Sequence, residues 1–557
     1  MTIRTMFSPM TQPPTGSVSS GSSRLGLSGG RALRLFLLFF VLGAETLNAQ
    51  TYHDLYNFGF SQTGCCPVYP AVMAQGRDGN IYGTTVRGGT NGVGIVFKIT
   101  PSGSLTTLYN FDTVHGSTPV GGLALGVDGN LYGTTEAGGA HGYGNIFRIT
   151  PSGALTVIYN FTGKADGGYP VAPLTLGLDG TFHGISYPDV AFRVTTAGLF
   201  TVVVGVVTTV PTVSYGQLLQ AKNGSFYGVT QFGGTKSAGT IFKITGTTST
   251  ILYNFDGTHG AYPIGGLAEG TDGNLYGTTT AGGATNAGVI FRITPAGVLT
   301  VLLSFDSAHP LGGYQAYAGL VAGSDGNLYG ATIWGGNYGY GVIFRLTTSG
   351  AYSVLYHFSA PSGDGAYSTP MEHTNGEIFG MTVRGGAGGD GVIYSFSDSL
   401  TPFARLTSGA GAVSNVVGIL GKGLMGTTGV KFGGTSATFT VVSDTYLTAK
   451  VPAGTTGTVS VATASGTLLS SKIFKVTPTI SGFTPASGKV GATVTIAGTG
   501  LIQTNALTVG GVKVTAFTKN SDAKVTFIVP AAAKTGKIVV TTPGGTATSA
   551  AVFTVTP

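Results

Sequence analysis

Cysteine is nearly missing from this chain: there are two in 557 residues, and Cys65 and Cys66 are neighbours. That count excludes a disulfide framework. In an oxidising compartment adjacent cysteines can close only a strained vicinal bridge, since ordinary bridge geometry is out of their reach; two free or partly buried thiols are the other reading. Charge is scarce too, at 9% Asp, Glu, Lys and Arg, and Trp334 is the single tryptophan. The formal charge of +7 resembles a nucleic-acid footprint, but Arg4, Arg24, Arg31 and Arg34 lie near the amino terminus against one acid, Glu45. The remaining excess is spread thinly, with no basic stripe, so no nucleic-acid partner is expected. Helical periodicity is absent. So is any apolar run long enough to span a membrane: "LRLFLLFFVLGA" is too short, follows basic residues and precedes "LNAQ". It has the layout of a secretory signal cut after Ala49, which predicts a signal peptide over 1–49 and no transmembrane segment in the mature chain. No cysteine follows the run to carry a lipid anchor. "TVVVGVVTTV" at Thr201, short and β-branched, reads as a buried strand.

Glycine, by contrast, supplies 95 residues. Together with Thr, Val, Tyr and Phe it gives the composition of tightly turned β-sheet. "DGNLYGTT" stands at Asp272 and nearly recurs at Asp128 and Asp78. The turn glycines Gly79, Gly129, Gly180, Gly224, Gly273, Gly326 and Gly376 return every 44 to 53 residues, the period of a propeller blade. Within one copy, "VGGLALGV" runs into Asp128–Gly129, read as a type I′ turn with both residues at positive φ. "NLYGTT", "NIFRIT" and "ALTVIYNF" then complete four antiparallel strands. Seven such copies predict a seven-bladed β-propeller. The seventh copy lacks its fourth strand, while an orphan "TYHDLYNF" stands at Thr51–Phe58. That segment is predicted to close the ring, removing the exposed edges of an open sheet.

"DGNLYGTT…GG…G.IFRITPSG.LT.LYNF", over roughly Thr51 to Phe396, resembles the Gloeo/Verruco (GloVer) tandem-repeat family of exported bacterial proteins. The resemblance implies a secreted or surface-exposed propeller and brings no catalytic residues with it. The third copy departs from it: "DGTFHGISYPDVAFRV" puts His183 for Tyr and loses the double glycine. After Pro402 two shorter units follow, with Gly423 and Gly500 77 residues apart and Pro452 and Pro530 78 apart. Each reads as six or seven short strands, a small sandwich. "SGKVGATVTIAGTGL…GG…VPA" resembles the IPT/TIG immunoglobulin-like domain. The expected architecture is therefore all-β: signal peptide 1–49, propeller 50–400, and IPT/TIG-like domains over 401–477 and 478–557.

In this layout the Asp-Gly and Pro-Ser-Gly turns share one face. The longer loops between the second and third strands share the other face with the connections to the next blade, and function belongs there. His115, His259 and His309 recur on that face with Asp112, Asp256 and Asp306, but their spacing fits no metal motif. Trp334, Tyr338 and Tyr340 in "WGGNYGY", with Tyr143 in the matching loop of the second copy, are the candidate ligand-binding residues: aromatic plates can stack on sugar rings. Packing on the neighbouring blade is the other reading of them. Lys98, Arg148, Arg193, Lys243, Arg292 and Arg345 recur in the third strand, with Ser395 breaking the series. They read as structural pairs or, alternatively, as a groove for an acidic glycan. No nucleophile elbow, phosphate loop or Ser-His-Asp set is present. No catalytic residue, metal ligand or cofactor is assigned. The expectation is a cell-surface or secreted binding or adhesion protein with Ig-like spacers, its partner an extracellular glycan or a surface protein. The alternatives are a polysaccharide hydrolase or lyase and a purely structural surface-layer part.

Overall fold

The computed structural model describes residues 50–65, 72–206, 213–454 and 456–557. The expected leader, Cys66 and the far end of the Thr201 run lie outside them. Residues 51–397 form seven four-stranded antiparallel sheets. The first holds Ala74–Gln75, Ile81–Thr85, Ile95–Ile99 and Leu105–Asn110 in that order, and the next five repeat it. The seventh takes Met371–Glu372, Ile378–Met381 and Val392–Ser397 from the last copy, and its fourth strand, Thr51–Asn57, from the other end of the chain. There Tyr52 stands opposite Phe396 and Asn57 opposite Val392.

The turn differs from the type I′ expectation. The N–H of Gly129 donates to Gly126 O (3.0 Å), and that of Gly126 to Asn130 O (2.8 Å). Positive φ occurs at Gly129 (90°) and not at Asp128. The loop is therefore three residues long, a type I turn followed by a left-handed glycine. The aspartate has a separate task. Asp128 accepts from the Asn130 backbone (3.1 Å), the Asn130 amide (2.7 Å) and the Tyr132 hydroxyl (2.7 Å). The same set recurs at Asp78, Asp272 and Asp325. A buried tyrosine tip thus finds its partner in the turn that precedes it.

These tyrosines face forward around the series. Tyr132 packs with Phe182 and Phe192 of the third sheet, whereas Phe147 faces back onto Tyr82 and Phe111 of the first. Phe147 lies across Gly133, its register partner, where a Cβ would meet the ring at 2.6 Å. That contact is what the strand glycine permits. The last apolar cluster joins Met371, Phe379 and Ile393 of the seventh sheet to Ile81 and Phe97 of the first through Phe58. Beside the inner strands the sheets meet backbone to backbone: a Cβ on Gly216 would fall 2.8 Å from Gly266 N, and one on Gly265 2.6 Å from Ala318 O. Only small residues fit there.

The Thr201 run is a further correction. Phe200–Gly205 is the outer strand of the third sheet, not a buried one, and Val202 is 43% exposed. Outer strands cover one flank only, so a β-branched run there serves propensity more than burial.

The two carboxyl-terminal units each pair a four-stranded with a five-stranded sheet, nine strands rather than six or seven. The extra strands are short segments such as Ala410–Ala412, which runs parallel to Gly466–Thr477, and Ser487–Lys489, which runs parallel to Gly545–Thr556. The first unit packs on the Asp-Gly turns. Arg77 lies over the Tyr446 ring at 4.6 Å, and Thr445 Oγ1 donates to Arg77 O (2.8 Å). Arg405 donates to Glu372 O, and Lys475 Nζ to Lys222 O. It touches turns of the first, fourth and seventh sheets at once, so it is fastened to that face rather than tethered as a spacer. Among the described residues no helix is long and apolar enough to cross a membrane.

Candidate functional site

With the Asp-Gly face occupied, the long-loop face is the one built from variable side chains. Its backbone is constant. In the second sheet Gly138 and Gly139 (both φ 75°) fold the loop back so that the Ala140 N–H meets Asn160 Oδ1 at 3.0 Å. A Cβ on Gly139 would strike that oxygen at 2.7 Å. Asn57, Asn110 and Asn254 repeat the clamp in other sheets. In the fifth sheet the shorter Ser304 takes the role, accepting from Ala284 N (2.8 Å). An open cleft of about 700 Å³ lies beside it, lined by Asp256, His259, Gly283, Val301 and Ser304.

The recurring histidines do not converge. His115, His259 and His309 each bond their own aspartate, Asp112, Asp256 and Asp306, at 2.8 Å. Among the described residues no three His, Cys, Asp or Glu side chains group around one point. In two of these loops the aspartate also accepts the histidine's own backbone N–H, so each pair closes the link between two sheets. Burial pushes the Asp112 and Asp256 carboxyls up, but these histidine bonds outweigh it and hold both below the usual range.

The third-strand cations stand opposite the second-strand tyrosines: Arg148 faces Tyr132, Arg292 faces Tyr276 and Arg345 faces Tyr329. Lys243 lies 5.8 Å from the Tyr227 ring centre, and Arg345 pairs with Asp398 at 3.0 Å. Ser395 faces Phe379, which has no hydroxyl. In the seventh sheet cation and tyrosine hydroxyl are lost together, whereas in the third Arg193 stays opposite His183, which bonds the turn Asp179 in the tyrosine's place.

Of the aromatic candidates, Tyr338 stands at a loop tip, 63% exposed, and Trp334 is half-buried. Tyr340 packs against the cluster between the sixth and seventh sheets. Tyr143 packs against the cluster of the second and third sheets, edge-on to Tyr169 at 5.4 Å. Trp334, Tyr338 and Tyr340 share one loop of the sixth sheet, and Tyr143 belongs to the second.

A second set escaped the sequence reading. The residue at the start of each inner strand, aligned on Leu123, Leu174, Leu218, Leu267 and Leu320, is Val120, Val171 or Ile264 in some copies but tyrosine in three, Tyr215 in the fourth and Tyr317 and Tyr367 in the adjacent sixth and seventh. The rings of Tyr317 and Tyr367 lie 4.9 Å apart and both are half-buried. Beside them, a backbone bridge joins each inter-sheet link to the next loop. Its side chains are Ser117/Ala137 and Ala261/Ala281 in two sheets, but Tyr314/Trp334 in the sixth and Asp364/Arg384 in the seventh. Burial pushes the Asp364 carboxyl up, and Arg384 draws it partly back. Burial likewise lifts the Tyr367 hydroxyl to about 12. Aligning the copies at the start of the inner strand would have revealed this set.

The model of the Gloeobacter/Verrucomicrobia repeat matches residues 42–196 and 187–368, and that of the IPT/TIG domain matches 397–473 and 478–555. No curated protein matches the chain. Among solved structures it is similar to virginiamycin B lyase from Staphylococcus aureus, with 16% identity, 62% of this chain and 98% of that one covered, and a TM-score of 0.43. It is also similar to a fungal alcohol oxidase in complex with copper (14%, 74% and 98%, TM-score 0.42). A surface glycan-binding protein from Prevotella bryantii matches at 22% identity over 26% of this chain and 38% of that one, TM-score 0.21. Likenesses this distant carry no inference about activity or ligand.

Proposed function

The chain belongs to the Gloeobacter/Verrucomicrobia repeat family and bears two IPT/TIG domains, and on that premise we propose that it is an exported binding protein whose long-loop face takes an extracellular glycan. Its 50–400 region is read as a seven-bladed propeller closed by Thr51–Asn57, between a signal peptide at 1–49 and domains at 401–477 and 478–557. Support for closure comes from the apolar cluster that joins the last sheet to the first through Phe58. Support for export comes from the apolar leader and from Cys65, which is disulfide-bonded, a state that persists in oxidising compartments.

The observation that carries the binding reading is a contrast between faces. The Asp-Gly face is uniform and covered by the first IPT/TIG domain, whereas the opposite face sets different side chains, Trp334 and Tyr338 among them, on one repeated backbone. A rigid scaffold with variable loops is the usual division between support and recognition. Screening the secreted chain on a glycan array, with Trp334→Ala and Tyr338→Ala beside it, tests the reading. Loss of signal in at least one variant is expected; unchanged binding in both removes these two residues from the site.

The rival, a polysaccharide hydrolase or lyase, draws on the Asp256–His259 pair in the open cleft of the fifth sheet. Its repetition at Asp112–His115 and Asp306–His309 favours a loop-closing role. Release of reducing ends by the wild type, abolished by His259→Ala, would reverse that preference.

A further inference from the structure

We propose that the sector of the long-loop face formed by the sixth, seventh and first sheets recognises an acidic glycan, one whose sugars carry carboxylate or sulfate groups. Tyr317 and Tyr367 provide the stacking surface, and Arg384 and Arg87 bind the anionic groups. The inference rests on the glycan reading above and specifies both its place and its charge.

Three observations converge on this sector. The first concerns the aromatic pair. Tyr317 and Tyr367 occupy matching positions on adjacent sheets, with rings 4.9 Å apart and tilted by 56°. Among the described residues neither hydroxyl makes a hydrogen bond, although hydroxyls of comparable tyrosines are bonded: Tyr132 to Asp128, Tyr52 to Ser362 O, Tyr352 to Gly312 O. A half-buried phenol usually finds a partner, so two that do not are ready for an incoming hydroxyl. The second observation is the position of the arginines. The bridge between link and loop is Cys65–Arg87 in the first sheet and Asp364–Arg384 in the seventh, where the second and fifth sheets have alanine, the third Tyr187 and the sixth Trp334. Both arginines are exposed, and neither enters any ion pair found among the described residues. Guanidinium groups in that state suit bidentate binding of carboxylate or sulfate. The third is location. The sector sits on the face left free by the first IPT/TIG domain. Asp364, whose carboxyl burial pushes up while Arg384 draws it back, adds an oxygen able to accept from a sugar hydroxyl.

Glycan arrays of uronate-bearing, sulfated and neutral chains, probed with the full secreted protein, test the proposal. The expected result is binding to acidic probes. It should weaken about tenfold or more in the double variant Arg87→Gln/Arg384→Gln, and lose most of its salt dependence there. Tyr317→Ala and Tyr367→Ala should weaken it by a similar factor at every salt concentration. Both arginines are exposed, so the double variant should melt like the wild type, and a loss of binding there reports recognition rather than folding. Equal binding of neutral chains, or wild-type affinity in the double variant, overturns the proposal. Binding that survives in the arginine variant but fails in Trp334→Ala removes this sector and leaves the broader reading standing. Absence of binding to every glycan removes both.

Discussion

Gln75 of the first sheet and Thr374 of the seventh hold each other by two bonds: Gln75 Nε2 donates to Thr374 Oγ1 (2.7 Å), and the Thr374 N–H donates to Gln75 Oε1 (3.1 Å). The contact spans the junction between the ends of the series. The same device recurs where Gln220 accepts from Leu178 N, Glu269 from Lys222 N and Glu372 from Ser324 N. In each case a side chain on an inner strand satisfies a turn N–H of the preceding sheet. Gln75→Ala leaves a buried backbone donor without a partner, which costs about 1–3 kcal/mol. Urea unfolding should register that loss. Faster hydrogen exchange in Thr51–Asn57 should accompany it if this junction is the weakest between neighbouring sheets.

The strand contributed by Thr51–Asn57 anchors through Phe58, which is 1% exposed. Phe58→Ala should destabilise by about 3–5 kcal/mol, through lost burial plus the cavity left behind. Deleting residues 51–58 goes further, because it uncovers the whole edge of Val392–Ser397. Unpaired edges template association. Size-exclusion chromatography should show multimers in the deletion and a weakened monomer in Phe58→Ala.

The number and order of strands in the seven repeats were legible because each copy writes its own turns and alternation, whereas the short parallel strands that bring each carboxyl-terminal unit to nine carry no such signal. The N-terminal strand was legible because "LYNF" at Leu55 matched the outer strands of five other copies. The turn geometry was not, since Asp-Gly suits both two- and three-residue hairpins and the choice lies in the Gly126–Asn130 pairing. The docking of the first IPT/TIG domain was hidden for a different reason. It rests largely on backbone carbonyls, those of Arg77, Lys222 and Glu372, which carry no residue-type signature. Trp334 and Tyr338 were found as rare or clustered aromatics. Tyr317 and Tyr367 were missed because their neighbourhood is defined by the start of the inner strand, a point that only the sheet order fixes.

The tie between tyrosine and cation can be measured directly. Tyr132 donates to Asp128 and faces Arg148 across the pair of strands. Tyr132→Phe should cost about 1.5–3 kcal/mol, the range for a bond to a charged group. Arg148→Ser should cost less in that background than alone, with a coupling of about 0.5–1.5 kcal/mol in a double-mutant cycle. The seventh sheet already carries the double replacement as Phe379 and Ser395, and it folds with both sides buried. Additive losses would dissociate the cation from the turn motif.

His373 gives the fold a pH response whose sign can be worked out. It is 4% exposed, its Nε2 bonds Gly79 O (3.0 Å), and its Nδ1 accepts from Asn375 N (3.2 Å). Burial, with the charges of Arg405 and Lys422 on the first IPT/TIG domain, holds the imidazole down to about 4. An unfolded histidine titrates near 6.5. Below that value the unfolded chain takes up a proton that the folded one refuses. The stability is therefore fully present above about pH 6.5 and is lost as pH falls through the window toward 4, by up to roughly 3 kcal/mol. Glu372, pushed up by burial, acts in the opposite direction, and the lowered turn aspartates, such as Asp179 at about 2, respond only at lower pH. Comparing wild type with His373→Gln isolates the imidazole from both, since glutamine can still donate to Gly79 O but does not titrate. Between pH 7.5 and 4.5 the wild-type unfolding midpoint should fall further than that of the variant. Parallel curves would mean that His373 binds its proton equally in both states.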